Sequence, residues 1–197
     1  MTTAVPTTLA EEQARARAYL RARGTEAAAP DIARQVAAAF AALEAAVAAV
    51  PAERACRRSI EGEWCVQEIV DHLVETHRPG LDELRCLLEG RRPPEPPIPP
   101  GLQSRAPLLR PWPALLDELR RVHGDIVRAL EAVPAGFTTD ARAPVVLVVN
   151  RKGPDGRSAA PFQWVEELDW KAYAIVWRLH AVDHLNQARK VVAALSP

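Results

Sequence analysis

The 197-residue chain is poor in several things, and each shortage narrows what it can be. It has three cysteines, Cys56, Cys65 and Cys86, with no CxxC pair. An odd, scattered set argues against a disulfide framework and against a Cys-based zinc knuckle. It has no surplus of charge: 25 Lys and Arg stand against 25 Asp and Glu. A balanced chain argues against nucleic acid or an anionic membrane as partner, since both are reached by electrostatic steering. No apolar run approaches the roughly 18 residues of a membrane span. The start, MTTAVPTTLAEEQ, lacks a basic stretch followed by an apolar one, so no secretory signal is read there and a cytoplasmic protein is expected. GxGxxG and the P-loop are missing, which leaves nucleotide binding unsupported. The residue after His180 is alanine, so there is no HExxH. Glu-x-x-His on two helices, the requirement of di-iron carboxylate bundles, is not found either.

Ala and Leu, strong helix formers, are plentiful. Hydrophobic residues make up 48% of the chain, enough to bury a core. Thr8 followed by Glu11 reads as a capping box that opens a helix closing at Gly24. The next helix begins at Asp31 after Pro30, with Ile32, Val36, Phe40, Leu43, Val47 and Val50 in one stripe. A third starts near Cys65, its apolar side formed by Val66, Ile69, Val70, Leu73 and Val74. Pro79-Gly80 is expected to kink or interrupt it. RRPPEPPIPPG cannot be helix and reads as a polyproline-like crossover. Leu115, Leu119, Val122, Ile126 and Leu130 line a fourth helix, with His123 beside the stripe. PVVLVV is the convincing strand, and a short β-hairpin near 144–164 is plausible over one end of the bundle. The last helix runs from about Val165 or Asp169 to Ala194. The expectation is all-α: one domain over 1–197, a four-helix bundle with an N-terminal extension helix in 1–28 and a Pro-rich crossover in 91–111.

The chemistry-bearing residues cluster in two segments. VWRLHAVDHLNQ places His180 and His184 four apart, on one helix face. Such a pair can offer two imidazole nitrogens to one ion; the plain alternative is two solvated histidines. EWCVQEIVDHL spaces Trp64, Glu68 and His72 by four. His72 borders the stripe of Ile69 and Leu73, so it can supply a third nitrogen if its helix lies beside the last one. Three protein ligands leave a position open for water or substrate, as catalytic rather than structural sites do. The alternative is a buried histidine hydrogen-bonded to a neighbouring helix.

These two segments together resemble DinB-like proteins. WCVQEIVDHL is similar to that family's Trp-Ser/Thr-x-x-Glu-x-x-x-His-Leu, and HAVDHLNQ to its His-x-x-x-His-x-x-Gln. These metal-dependent bundle proteins are related to YfiT-like proteins and mycothiol-dependent enzymes, and are unrelated to the polymerase of similar name. The resemblance implies an up-down-down-up four-helix bundle, one divalent metal ion (zinc or nickel) held by His72, His180 and His184, and a homodimer. A three-histidine ion with an open face fits either hydrolysis by bound water or transfer of a low-molecular-weight thiol, with a small-molecule substrate or thiol as partner; the resemblance implies the second, and the residues alone do not choose. The rival is a non-catalytic stress-response or binding protein whose metal is structural or incidental. Two departures stand out: Cys65 where Ser or Thr is usual, and Pro79 in a helix the family keeps continuous.

Around the three histidines, Glu68 reads first as an acidic residue favoured by the helix dipole in a first turn, with a place beside the ligands as the alternative. Gln187 and Asp183 flank the pair and can hydrogen-bond a ligand ring, a solvated position being the expectation for Asp183. Trp177 lies one turn before His180 and reads as core or pocket wall, with Trp164, Trp170 and Tyr173. His123 reads as a satisfied core histidine ahead of a ligand. His77, five residues past His72, reads as a solvated residue near a helix end. Cys65 reads as a small buried cysteine ahead of a reactive thiol. Asn150, Arg151 and Lys152 are placed at the pocket mouth. The residues name no catalytic base.

Overall fold

The computed structural model describes residues 8–94, 96–152 and 158–195, without the side chains of 151, 152, 158 and 159. Thr8 caps α1 (Leu9–Leu20), and Glu11 returns the bond to the Thr8 backbone, so the capping box forms as read. Residues Arg21–Thr25 then widen into a turn closed by Glu26 N–H on Arg21 C=O. Gly24 is required there, because a Cβ would lie 2.6 Å from the Ala172 Cα.

The bundle proper is α2 (Ala29–Ala48), α4 (Val66–Leu88), α5 (Trp112–Glu131) and α6 (Trp170–Ala193), with a single turn, α3 (Ala52–Ala55), after α2. The stripe of α2 is buried as the spacing predicts. So is that of α5, which adds Trp112 and His123. Each neighbouring pair fixes a direction. The Trp112 indole N–H at the start of α5 donates to Val50 C=O just past α2 (3.0 Å), so those two run antiparallel. Lys171 at the start of α6 donates to Ala27 C=O just before α2 (2.8 Å), so those run parallel. In α4, Asp71 meets Arg110 and His77 meets His123, a parallel pairing with α5. His72 meets His180, and Gly80 meets Tyr173, an antiparallel pairing with α6. The order in the chain is therefore up, down, down, up.

Parallel neighbours α4 and α5 need a return strap, and residues 89–111 supply it. A polyproline segment has no internal hydrogen bonds, so its hold must come from elsewhere. Asp71, fully buried, accepts from Ser104 N–H (2.8 Å), Ser104 Oγ–H (2.7 Å) and the Arg110 guanidinium (2.7 Å). Gln67 donates to Pro107 and Arg110 carbonyls, and Gln103 to the Glu68 carbonyl. These bonds lay the strap along the N-terminal half of α4.

The structure sharpens three expectations. Pro79-Gly80 does not interrupt the helix: α4 is continuous from Val66 to Leu88. A Cβ at Gly80 would come within 2.9 Å of two carbons of the Trp177 ring and closer to a third, so the glycine serves close approach of α6. The β-hairpin exceeds 144–164: β1 (Ala143–Lys152) pairs antiparallel with β2 (Ser158–Leu168), Val146 opposite Val165. Val165 is thus a strand residue, and α6 starts after Asp169. The Asp169 carboxylate accepts from Lys171 and Ala172 N–H as the cap. The sheet leaves the rest of the fold as the helical bundle it was read to be. No helix of the described residues is long and apolar enough to cross a membrane.

Candidate metal centre

His72 projects from the second turn of α4, and His180 and His184 from the middle of α6. Antiparallel packing of the two helices brings all three together. His72 Nε2 lies 3.0 Å from His180 Nε2, and His184 Nε2 lies 3.1 Å from the same atom. One nitrogen from each ring falls within 4.8 Å of the others. His72 is buried, while His180 and His184 are half-buried.

The other nitrogen of each ring is already committed. His72 Nδ1–H donates to the Leu102 carbonyl of the strap (2.7 Å). His184 Nδ1–H donates to the Gln187 amide oxygen (2.8 Å). His180 Nδ1 faces His77 Nε2 at 3.0 Å. A neutral imidazole carries one N–H. With Nδ1 the donor in His72 and His184, their Nε2 atoms keep the lone pairs, and both lie close to His180 Nε2. Ligating histidines characteristically spend the second nitrogen in this way. Three imidazole nitrogens make a donor set suited to a zinc- or nickel-type divalent ion.

Electrostatics favour the ligand form. Burial pushes His72 below the ordinary imidazole value, against the opposing pull of the Leu102 carbonyl and Asp71. Burial, and then the neighbouring histidines, hold His180 well below it. Burial brings His184 to about 4. Near neutral pH the rings are uncharged, the form a metal requires.

The Trp64 ring packs against His72 (centroids 4.9 Å apart) and stacks over His184 (6.2 Å), forming one wall. Trp177 sits edge-on to His77 and His180; it packs behind the three-histidine group. Gln187 touches His184 directly. Glu68 does not: it accepts from the Cys65 N–H (2.9 Å) and pairs with Arg58, a first-turn role. Burial opposes its charge, but Arg58 and the Cys65 N–H hold its carboxyl below the usual range. Asp183 is exposed. His123 stays outside the group of three and is satisfied by Glu44 and His77. Asn150 is exposed on β1, and the side chains of Arg151 and Lys152 lie outside the described residues.

His77 corrects the sequence reading. It is fully buried, between His180 and His123. Five residues past His72 is well round a helix, but α4 is enclosed by α5, α6 and the strap, so that side is interior too. Cys65 is buried, and desolvation lifts its thiol to about 11, which removes it as a thiolate nucleophile.

A family profile described as the DinB superfamily matches residues 35–188. The chain belongs to the DinB superfamily. Among solved structures, this DinB protein is similar to YfiT from Bacillus subtilis, described as a probable metal-dependent hydrolase with an unusual four-helix bundle topology. The two share 16% identity over 84% of this chain and 87% of the other, with a TM-score of 0.53. At that identity the likeness speaks for the fold. No curated protein sequence matches the chain.

Proposed function

We propose that this DinB protein binds one divalent ion, zinc or nickel, through His72, His180 and His184, and acts as a metal-dependent hydrolase or as a transferase of a low-molecular-weight thiol. The observation that carries this reading is the convergence of three Nε2 atoms from two antiparallel helices, with each Nδ1 already engaged elsewhere. A divalent ion with three protein ligands supplies Lewis acidity at an open position, lowering the pKa of a water or thiol and polarising an electrophile. The chain's own part is to hold the three rings neutral and aimed. Leu102 C=O orients His72, the Gln187 amide orients His184, and the Trp64 ring keeps solvent from one side. Half-burial of His180 and His184 gives a small molecule its approach.

The test is cobalt substitution followed by visible spectroscopy. An open site changes its spectrum on addition of azide or of a small thiol. Turnover of an activated ester, or of a thiol with an electrophile, then disappears in His184→Ala. A spectrum indifferent to added ligands, with no turnover of either substrate pair, refutes the enzymatic reading and leaves a closed structural metal.

A further inference from the structure

Behind the three-histidine group, two more histidines and a glutamate form one continuous chain. His180 Nδ1 is 3.0 Å from His77 Nε2, His77 Nδ1 is 3.0 Å from His123 Nε2, and His123 Nδ1 is 2.7 Å from Glu44 Oε1. Every ring uses Nδ1 toward Glu44 and Nε2 toward the site, so the chain has a single sense. His77 and His123 are buried, and Glu44 reaches the surface at its far end. Phe40 stacks flat on His123, centroids 3.8 Å apart and planes 10° apart, and tilts against His77. Those contacts fix the ring planes and leave the proton positions as the freedom that remains.

The proton positions follow from the end group. A carboxylate only accepts hydrogen bonds. His123 therefore carries its proton on Nδ1, and as a neutral ring it presents a lone pair at Nε2. That lone pair must receive the Nδ1–H of His77. The same step passes to His180, whose proton then lies on Nδ1 and whose lone pair lies on Nε2, facing His72 and His184. The reverse sense would set a lone pair of His123 against the negative carboxylate. His77 and His123 are buried against the Phe40 ring, surroundings that favour uncharged imidazoles.

We propose that Glu44, on a helix that contributes no ligand, sets the tautomer of His180 through His123 and His77, and that these three are positioning residues of the metal centre. The inference rests on the proposed metal-binding reading for its purpose, since the tautomer it selects is the one a metal needs at His180 Nε2. It accounts for a row of buried imidazoles that packing alone would fill with apolar residues.

The test reads the ring protons directly, by long-range proton–nitrogen NMR of the histidines in metal-free protein at neutral pH. Zinc affinity is measured in parallel by chelator competition. Wild type is expected to carry the proton on Nδ1 in both His77 and His123. Glu44→Ala, a half-exposed change to a good helix former, should mix the tautomers at both rings. It should also weaken zinc binding about 10- to 100-fold, the usual cost of losing a partner behind a ligand, while circular dichroism stays native. Glu44→Gln, whose amide oxygen still accepts, should restore the wild-type ring pattern and most of the affinity. An Nε2 proton on either ring in wild type overturns the proposal. So does Glu44→Ala with wild-type tautomers and a zinc affinity within about twofold of wild type, well short of that usual cost. The ring signals need no metal, so a wild-type protein that binds neither zinc nor nickel refutes the proposed function separately and the tautomers still decide the relay.

Discussion

Replacing Gly80 by alanine sets two opposing effects against each other. Gly→Ala inside a helix gains roughly 0.5–1 kcal/mol of stability by propensity. The added methyl, however, would stand 2.9 Å from Cε2 and Cη2 of Trp177, with Cζ2 closer still. Carbon contacts relax at about 3.5–4.0 Å, so the indole must withdraw by about 1 Å or more. It has little room to do so. Its ring meets His77 at 4.8 Å, Tyr173 at 5.5 Å and His180 at 5.8 Å between centroids, all three edge-on. Overpacking a core of native density costs about 1–3 kcal/mol, and a contact this short belongs at the upper end. The net is a loss of about 2 kcal/mol, or roughly 4–8 °C in melting temperature for a chain of this size. Because Trp177 bears on His77 and His180, metal affinity should fall as well. Trp177→Leu in the same chain should relieve the clash, so the double variant should lose less than the two single losses summed. Thermal unfolding with chelator competition measures both effects. A melting temperature that rises in Gly80→Ala would show that helix propensity wins, and would refute the close approach of α4 and α6.

Asp71→Ala removes the buried acceptor that fastens the strap, leaving Ser104 and Arg110 without it; a loss of about 3 kcal/mol is expected, seen as a lower urea midpoint. Metal binding should weaken with it, because Leu102 C=O loses its fixed place beside His72. Stability should also depend on acid. Burial depresses the folded-state values of His72, His77, His123, His180 and His184, the last to about 4. The unfolded chain therefore binds more protons than the folded one once pH drops below the ordinary imidazole value. The contribution is complete above about pH 6.5 and is lost as pH falls toward 4. Urea midpoints across that range should decline steadily; a flat profile would contradict neutral buried rings. Finally, an alkylating reagent should modify exposed Cys56 quickly and spare Cys65 until the protein unfolds, as peptide mass mapping would show.

The helical stripes were legible because each bundle helix has one face against the core, and residues such as Ile32, Val36 and Phe40 repeat at the helical period. His72, His180 and His184 were legible as a group because the i, i+4 pair and a third histidine on an apolar border need one assumption, that α4 and α6 are neighbours. Gln187 was readable for the same reason, one turn past His184 on the same face. What was hidden depended on surroundings. Leu102 orients His72 through a backbone carbonyl, which has no signature in the sequence. His77 is hidden because periodicity assigns α4 one buried face, whereas the strap and two helices bury it nearly all round. Pro79-Gly80 reads in the sequence as a kink or an interruption, but α4 is continuous and Gly80 answers to the Trp177 ring, a partner far away in the chain. The hairpin outran its expected limits because its alternation is masked by charged residues such as Glu166 and Glu167, which reach Arg17 and Arg92.

Metal content decides whether His72, His180 and His184 hold an ion. Tag-free wild-type protein, exposed to zinc and to nickel and then dialysed, would be analysed by mass spectrometry beside His72→Ala and His180→Ala. Wild type should hold close to one equivalent of ion and neither variant any, with helicity retained in all three. Wild type without metal after both exposures, or a variant that keeps its equivalent, would contradict the three-histidine site.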